Sequence, residues 1–381
     1  MKVLFISPWY PNRYDNMAGL FVRKHAEAAS LYCDVNVLYV HADSEINTFE
    51  IIRNKQQNIT EYFVYFPAPQ KGFFQKIIKM LNYVRAYQKG FKLLFSEQGK
   101  PDVIQANVFT RTALVAYWMK IKHKIPYTVI EHWTRYFREK PFQNQIHKKL
   151  SILTAKKAGA ILPVTNHLRK SMESHGMTNN NYHIINNVVD KPFFEKSEET
   201  PNDKIVFTNI TCFNDDQKNL SGILNVLKRL TEVNTNFKVY LVGGGVDFEL
   251  IKTKAKELGL ENKYVFFTGV LTGSELVEYF KKSDFTFLFS NYENIPVVIS
   301  ESLVCGKPVI STDVGGINEH IDKSNGILIE KEDEDALYES IIYMMEHYQE
   351  YDSEEIKMKA EKLYSYERVG KELFNIYKSI V

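Results

Sequence analysis

The sequence predicts an α/β protein with two domains, each built on a doubly wound parallel sheet. Three observations indicate this class: the length of 381 residues, two series of short apolar runs that alternate with helical patterns, and a polar segment between the two series. A single hydrophobic core rarely serves more than about 250–300 residues. Apolar strands that alternate with helices are typical of parallel sheets buried on both faces.

The apolar runs are short and rich in β-branched and aromatic residues, which favours strands. The first series comprises VLFIS at 3–7, VNVLYV at 35–40, VIQA at 103–106, YTVIEH at 127–132 and AILPVT at 160–165. The second series comprises IVFTNI at 205–210, VYLVG at 239–243, YVFFTG at 264–269, FTFLFS at 285–290, PVIST at 308–312 and GILI at 326–329.

The segment EKSEETPNDK at 195–204 is polar and contains a proline, so it is interpreted as the linker. We therefore expect an N-terminal domain at 1–194 and a C-terminal domain at 195–364. Two helical patterns close the chain, and the last, at about 365–381, is expected to complete the N-terminal domain.

Composition and charge indicate the class of protein and its surroundings. No apolar run approaches the ~20 residues of a membrane span, and the N-terminus lacks the apolar core of a signal peptide, so we expect a cytoplasmic protein. The net charge is +2, but residues 1–190 hold 26 Lys and Arg against 13 Asp and Glu, whereas residues 191–381 hold 22 against 33. The N-terminal half is therefore expected to bind an anionic partner. The three scattered cysteines favour reduced thiols over a zinc site.

A helix is predicted at about 296–305, directly after the fourth apolar run of the second series. Pro296 is favoured in the first turn of a helix, and Gly306 is a natural stop. The free amides of such a helix start suit a phosphate. Glu293 precedes the start and Glu301 lies in the second turn, so their carboxylates can accept hydrogen bonds from hydroxyls on either side of a diphosphate. The alternative is a pair of solvated surface acids.

Residues 290–319 carry a longer pattern, roughly S-x-x-E-x-[FIL]-[GP]-x-x-x-x-E-[AS], then G-x-P-V, then G-G-x-x-E. The residues in register are Ser290, Glu293, Ile295, Pro296, Glu301, Ser302, Gly306, Pro308, Gly315, Gly316 and Glu319. This pattern resembles the retaining group 1 glycosyltransferases, glycosyltransferase family 4, whose GT-B fold has two Rossmann-like domains facing across a cleft. Segments 101–132, 186–194 and 239–285 also resemble parts of that family.

The resemblance implies two catalytic residues, Glu293 and His132. Glu293 would contact hydroxyls of the donor sugar, and His132 would lie over the sugar near the reacting carbon. The alternative for His132 is a structural histidine. Glu131 either tunes this histidine or is a surface acid at a strand end.

The resemblance also implies a set of donor-binding residues, in which Glu301 holds the ribose hydroxyls. For Gly19, in the loop that follows the first apolar run, the alternative is a glycine that only permits a turn of the backbone. The set consists of Lys218, Asn294, Ile295, Pro296, Val297, Glu301, Gly269, Val270 and Gly19.

The family pattern G-R-x-x-x-x-K-[GN] is matched only in part by the loop TCFNDDQKN. Lys218 matches its lysine, but Phe213 stands in the place of its arginine. Charge neutralisation of the diphosphate is then expected from Lys218 and the helix start, or from Arg23 or Arg135 of the N-terminal domain.

No cofactor and no metal are expected. Asp333, Glu334 and Asp335 form a D-x-D sequence, but they stand at a predicted helix start, where acids are favoured. We interpret them as a helix cap.

The segment 71–100 predicts a basic amphipathic helix with interleaved aromatic residues. Such a helix suits an anionic membrane surface, and the alternative is a core-packed helix with a solvated basic face. No nucleic-acid-binding motif accompanies the charge. The cations of the segment are Lys71, Lys76, Lys79, Arg85, Lys89, Lys92 and Lys100, against one acid, Glu97.

The expected function is transfer of a sugar from a nucleoside-diphosphate sugar to a saccharide or lipid-linked acceptor, with retention of the anomeric configuration. The product would be a cell-surface polysaccharide or glycolipid, such as lipopolysaccharide or capsule. The protein would act in the cytoplasm, peripherally on the inner face of the membrane. The alternatives are a GT-B-fold UDP-sugar epimerase and a non-catalytic module that binds nucleotide sugars.

Overall fold

The structure is a computed structural model that describes residues 1–56, 58–68, 73–109, 111–195 and 203–381. Residues 196–202 of the predicted linker lie outside the described residues, as does Lys71 of the basic segment. The chain divides into two compact units. The first is Met1–Val188 with Tyr366–Val381, and the second is Val189–Ser365. The boundary expected from the sequence lies between residues 194 and 195.

Each unit contains one sheet, and the strands of both sheets follow the apolar runs of the sequence. The strands of the first unit are β1 (Lys2–Ser7), β2 (Asp34–Asp43), β3 (Glu50–Gln56), β4 (Ile59–Pro67), β5 (Val103–Asn107), β6 (Tyr127–Glu131) and β7 (Ala160–Pro163). Those of the second unit are β8 (Ile205–Ile210), β9 (Phe237–Val242), β10 (Val265–Gly269), β11 (Phe285–Phe287), β12 (Val309–Thr312) and β13 (Gly326–Ile329).

The helices lie between these strands and at the end of the chain. They are α1 (Leu20–Ser30), α2 (Gln75–Gln98), α3 (Arg111–His123), α4 (Gln145–Lys157), α5 (Asn166–Ser174), α6 (Lys191–Phe194), α7 (Asp215–Lys218), α8 (Leu220–Leu230), α9 (Phe248–Glu257), α10 (Gly273–Lys282), α11 (Val297–Val304), α12 (Glu334–His347), α13 (Ser353–Tyr364) and α14 (Tyr366–Ile380). None of the described helices combines the length and the apolar character needed to cross a bilayer.

The first sheet has the strand order β3-β4-β2-β1-β5-β6-β7. Its pairs are parallel except for β3 and β4, which pair antiparallel with Glu50 opposite Tyr65. The antiparallel edge strand β3 is thus an addition to the parallel sheet that the sequence predicts. Most of β3 is exposed, and Arg53 and Lys55 lie on it, as is common on edge strands that must not pair with another chain.

The second sheet is parallel throughout, in the order β10-β9-β8-β11-β12-β13. All six strands predicted for this half of the chain are confirmed. Phe207 of β8 stacks on Phe285 of β11, with ring centroids 4.7 Å apart. This contact joins the two central strands whose following loops carry the candidate site.

The core of the first unit is completed by the last helix of the chain. Apolar residues of α14 are buried in one cluster with residues of β1, β2 and α1. The two helices approach closely, because a Cβ atom added to Gly370 would lie 2.1 Å from the carbonyl oxygen of Ala28. The buried α14 residues are Tyr366, Val369, Leu373, Ile376 and Tyr377.

We predict that Gly370→Ala lowers the free energy of unfolding by about 1–3 kcal/mol, because the new methyl group forces α14 away from α1. Urea unfolding followed by circular dichroism measures the change. Lys371→Ala, on an exposed position of the same helix, is the control and should leave stability nearly unchanged. A Gly370→Ala protein as stable as the wild type would show that the helices are not in this close contact.

Candidate functional site

Lys218 and Glu293 form a buried ion pair in the second unit. Lys218 ends α7, in the connection that follows β8, and Glu293 lies in the loop that follows β11. The Lys218 Nζ donates a hydrogen bond to Oε1 of Glu293. Their side chains are only 10% and 8% exposed. Two of the residues predicted from the sequence are thus brought into direct contact beyond the carboxyl ends of neighbouring strands, where ligands of open α/β sheets bind.

The loop that carries Glu293 rests on the glycine pair Gly315 and Gly316. The Gly316 amide donates to the carbonyl oxygen of Asn294 over 2.8 Å. Gly315 has φ +64°, and a Cβ atom at this residue would lie 2.1 Å from the carbonyl oxygen of Glu293. A side chain at residue 315 would therefore displace the backbone of Glu293.

Helix α11 begins at Val297, with Pro296 as its cap residue, which confirms the predicted helix within one residue at each end. Glu301 lies in its second turn. Glu293 and Glu301 are each 7% exposed. The interpretation of these glutamates as solvated surface acids is therefore wrong. Asn294 is also buried, whereas Ile295, Pro296 and Val297 are half-buried.

The turn that follows β8 differs from the expectation at Phe213. This side chain is fully buried and packs against Phe248 and Phe267, with ring centroids 5.2 and 6.1 Å away. The exposed side chain at this turn belongs to Cys212. Phe213 is thus a core residue and contributes no charge to the site.

Gly269 and Val270 lie where β10 ends, at the same edge of the sheet. The carbonyl oxygen of Gly269 accepts a hydrogen bond from the Gly243 amide over 2.9 Å. Val270 is 69% exposed, and its Cγ2 lies 3.0 Å from the position that a Cβ atom of Gly244 would take. Val270 thus lies close to the glycine turn after β9, and the surface is open at Gly269, where an added Cβ atom would meet nothing within 4 Å.

In the first unit, His132 follows β6 and packs in an aromatic group. Its ring centroid lies 4.3 Å from that of Phe21 and 5.6 Å from that of His25. Burial and the neighbouring His25 hold the pKa of His132 well below its usual range, and burial lowers the pKa of His25 to about 4. Both imidazoles are therefore neutral at neutral pH.

Glu131 is fully buried and accepts three backbone hydrogen bonds. Its Oε2 accepts from the Phe109 amide over 2.8 Å, and its Oε1 accepts from the amides of His132 and Trp133, each over 3.0 Å. Burial raises the pKa of Glu131 to about 7, against the effect of these donors. The interpretation as a surface acid is therefore wrong, because Glu131 holds the backbone that carries His132.

Gly19 is the cap residue of α1, with φ +62°. A Cβ atom at Gly19 would lie 2.4 Å from the carbonyl oxygen of Trp9. Trp9 packs edge-on against Trp133, with ring centroids 5.1 Å apart. The contact with the Trp9 backbone requires a glycine here, and the tryptophan pair connects this loop to the one that follows His132.

The two arginines considered for the diphosphate are engaged within the first unit. Arg23 donates to Glu27 over 3.0 Å and also to Gln56. Arg135 donates from Nε and Nη2 to the carbonyl oxygen of Pro141, over 2.9 and 2.6 Å.

The D-x-D sequence is part of a helix start. Asp333 is the cap residue of α12 and accepts a hydrogen bond from the Ala336 amide over 2.9 Å. Its interpretation as a cap is confirmed.

We predict that Glu131→Gln destabilises the protein by about 1–3 kcal/mol, because the amide group of Gln would turn an N–H toward a backbone N–H. The pH dependence of the free energy of unfolding should change as well. The folded-state pKa of about 7 lies above the ~4.3 of an unfolded glutamate, so this residue makes wild-type stability fall as pH rises through that window. The variant should lack this contribution.

Urea unfolding at about pH 5 and about pH 8 measures both effects, and the difference between variant and wild type should be larger at the lower pH. Glu139→Gln, an exposed residue of the same loop, is the control. A difference that is constant with pH would contradict the raised pKa of Glu131.

Comparison with known proteins agrees with this architecture. Residues 26–191 match the family described as Glycosyltransferase Family 4, and residues 190–362 match Glycosyl transferases group 1. An uncharacterised glycosyltransferase of Methanocaldococcus jannaschii is 27% identical over 165 residues, 42% of each chain. The match therefore spans less than half the length of this curated relative.

Solved structures share the fold over almost the full chain. Sucrose-phosphate synthase from Thermosynechococcus elongatus superposes with a TM-score of 0.78 at 15% identity, covering 99% of this chain and 98% of that one. HepE of Anabaena in complex with UDP-glucose superposes with a TM-score of 0.73 at 17% identity, covering 100% of both. The two parallel-sheet α/β units thus have the GT-B fold, and the chain belongs to the group 1 glycosyltransferases, glycosyltransferase family 4.

Proposed function

We propose that this protein is a retaining glycosyltransferase that moves a sugar from a nucleoside-diphosphate sugar to a saccharide or lipid-linked acceptor, in the synthesis of cell-surface polysaccharide or glycolipid. The observation that carries the proposal is the buried pair of Lys218 and Glu293 beside the start of α11. Family membership supports it, as does the structural neighbour that holds UDP-glucose.

The donor diphosphate takes its counter-charge from the Lys218 ammonium and the free amides at the start of α11. Glu293 accepts hydrogen bonds from the sugar hydroxyls, and Glu301 accepts those of the ribose. The backbone of residues 294–297 lies along the diphosphate. Gly269 and Val270 offer an open, partly apolar surface for the base.

In this proposal, the residues of the first unit serve the reacting carbon. The imidazole of His132 is neutral, so it can form a hydrogen bond with a sugar hydroxyl without adding charge. The acceptor attacks from the face that the diphosphate leaves, and the leaving diphosphate takes the acceptor's proton. Orientation and charge stabilisation then lower the barrier, with no separate protein base. Gly19 keeps the first loop close to the Trp9 backbone.

The proposal is tested by incubating the full chain with UDP-, GDP- and ADP-sugars and measuring slow donor hydrolysis. Release of free nucleotide and free sugar supports a transferase. Conversion of one nucleotide sugar into another without release of nucleotide would identify an epimerase. A thermal shift with a nucleotide sugar but no turnover would leave a binding module, and the absence of both would refute every one of these functions.

We predict that Glu293→Gln lowers turnover of the preferred donor by about 10²–10³-fold, the scale of losing one group that stabilises a transition state. It should also lower stability, because the Lys218 ammonium stays buried without a counter-charge. The double variant Lys218→Met/Glu293→Gln removes both charges and should regain stability without regaining activity.

Glu275→Gln, an exposed acid in the first turn of α10, is the control for a simple change of charge. Donor hydrolysis and thermal unfolding are measured on all four proteins. An active Glu293→Gln protein would refute the assigned role of Glu293.

The acceptor part of the proposal rests on helix α2. Residues 73–81, at the start of this helix and just before it, expose a group of large apolar side chains, whereas Tyr87, Phe91 and Leu94 in its second half are buried. This exposure supports the membrane proposal over a helix that packs on the core along its whole length. The exposed group contains Phe73 at 95% exposure, Met80 at 62%, Phe74 at 59%, Ile77 at 58% and Leu81 at 50%.

Exposed cations accompany these apolar side chains, namely Lys76, Lys79 and Arg85. An apolar surface flanked by cations suits an interface with anionic lipid. We propose that this end of α2 lies on the inner face of the cell membrane and brings the protein to a lipid-linked acceptor.

We predict that the protein binds vesicles of phosphatidylcholine with phosphatidylglycerol more tightly than vesicles of phosphatidylcholine alone. Lys76→Gln should weaken binding to the anionic vesicles about fivefold, the effect of one surface cation, and Phe73→Ser should weaken binding to both kinds. Vesicle sedimentation at low and high salt measures this. Lys256→Gln, exposed on α9 of the second unit, is the control, and equal weakening by this variant would exclude α2 as the membrane contact.

A further inference from the structure

The first unit contains a cavity of about 280 Å³ between α3, α4 and the 3-10 turn Thr134–Phe137. We call it the α3–α4 cavity. One face of α4 lines it, through residues spaced three or four apart that include His147 and Ser151. Arg111 reaches it from the start of α3, and Trp133 and Arg135 reach it from the turn.

The α3–α4 cavity lies at the carboxyl edge of the first sheet. Arg111 begins the helix that follows β5, and Trp133 comes two residues after the end of β6. Trp133 is also the residue next to His132, which we place near the reacting carbon. The cavity therefore occupies the edge at which α/β domains bind ligands.

The polar side chains around the cavity are mainly cationic or donors. Two guanidinium groups, one imidazole and the Gln143 amide line it, and the described residues that line it include no carboxylate. This composition favours an anionic ligand.

Arg135 is held in a fixed orientation. Its guanidinium lies over the Trp133 ring, 4.4 Å from the ring centroid. Its Nε and Nη2 both donate to the carbonyl oxygen of Pro141, which uses two of its five N–H donors. A guanidinium with one edge anchored and a ring beneath it loses little conformational freedom when it binds an oxyanion.

The electrostatics of the neighbouring histidine agree with this picture. Burial lowers the pKa of His147, and the positive charge of Arg135 lowers it further. A positive potential therefore extends from Arg135 to the α4 face of the cavity. An oxyanion bound in the cavity would offset this positive potential.

We infer that the α3–α4 cavity binds an anionic group of the acceptor, a phosphate or a carboxylate, through the guanidinium groups of Arg111 and Arg135. The inference rests on the proposed function and adds the class of acceptor. The volume is just below the ~300–1,000 Å³ of pockets that enclose drug-sized ligands. It therefore suits one anionic group with part of the sugar that carries it.

The test uses the full chain saturated with UDP, so that the nucleotide region is occupied, and titrates glucose 6-phosphate, glucuronate and glucose by isothermal calorimetry. At least one of the two anions should bind, and neutral glucose should not. Glucose 6-phosphate binding alone identifies a phosphate, and glucuronate binding alone identifies a carboxylate. Glucose binding as tightly as the anions, or binding by neither anion, would overturn the inference.

Arg111→Gln should weaken binding of the anion about tenfold or more, the scale of one lost hydrogen bond to a charged group, without changing UDP affinity. Arg111 is exposed at the start of α3, and the contact of its guanidinium with a protein ring is the one with Tyr83, 5.6 Å from the ring centroid; thermal unfolding of the variant checks that the fold is kept. Lys149→Gln, an exposed cation of α4 that does not line the cavity, is the matched control. Equal weakening by the two variants would show a general effect of charge and refute the site.

The same titrations separate this inference from the proposed function. UDP binding is measured first, together with hydrolysis of a UDP-, GDP- or ADP-sugar. Donor turnover without anion binding would overturn the α3–α4 cavity alone. Anion binding that depends on Arg111 in a protein without donor turnover would leave the anion site standing and refute the transferase.

Discussion

A buried ammonium and a buried carboxylate hold each other at the edge of the second sheet, and the candidate donor site is arranged around them. Neither Lys218 nor Glu293 is stable there without the other, because an unpaired buried charge costs several kcal/mol. The pair ties the connection after β8 to the loop after β11. Gly315 holds that loop in place, because the Gly315 backbone lies against the carbonyl oxygen of Glu293.

This pairing also bears on which ligands can enter under the proposed function. The ammonium has three donors and the carboxylate has several acceptor sites, so each group can keep its partner and still bind a ligand. A molecule with both a diphosphate and vicinal hydroxyls can contact both groups at once, whereas a ligand with only one of these features makes fewer of the contacts.

The first unit has a different set of polar groups at the carboxyl edge of its sheet. His25 and His132 are neutral, and Glu131 is turned inward to hold backbone amides. The cations stand farther along, around the α3–α4 cavity. Part of the excess of Lys and Arg in residues 1–190 lies at this cavity and on the exposed start of α2.

How far the sequence predicts this structure depends on how local each signal is. Strands buried on both faces are continuous apolar runs, so all eleven predicted strands are present. β3 is polar and exposed, which hides it from the same criterion, and its unpredicted partner β4 shows that the apolar run YFVYF was overlooked. The start of α11 was predicted within one residue because Pro296 and Gly306 are local markers.

The candidate site is formed by residues that are far apart in the sequence, and the incorrect or absent predictions follow from that. A motif fixes the spacing between residues but not the direction of a side chain, so it does not predict that Phe213, in the place of the family's arginine, packs into the core. The burial of Glu131 depends on amides from the connection after β5 and from its own loop. The α3–α4 cavity collects residues from 111 to 154, and no pattern within one segment predicts their meeting.

The return of α14 to the first unit has a consequence for how the protein is made. Five of its residues belong to the core formed by β1, β2 and α1, which leave the ribosome well before α14. During synthesis, the first unit therefore keeps an apolar surface uncovered until α14 emerges. The second unit, Val189–Ser365, is continuous in sequence and can form its own core earlier. Loss of α14, by a stop codon before it or by proteolysis, would leave the first unit incomplete although the break lies after the second unit.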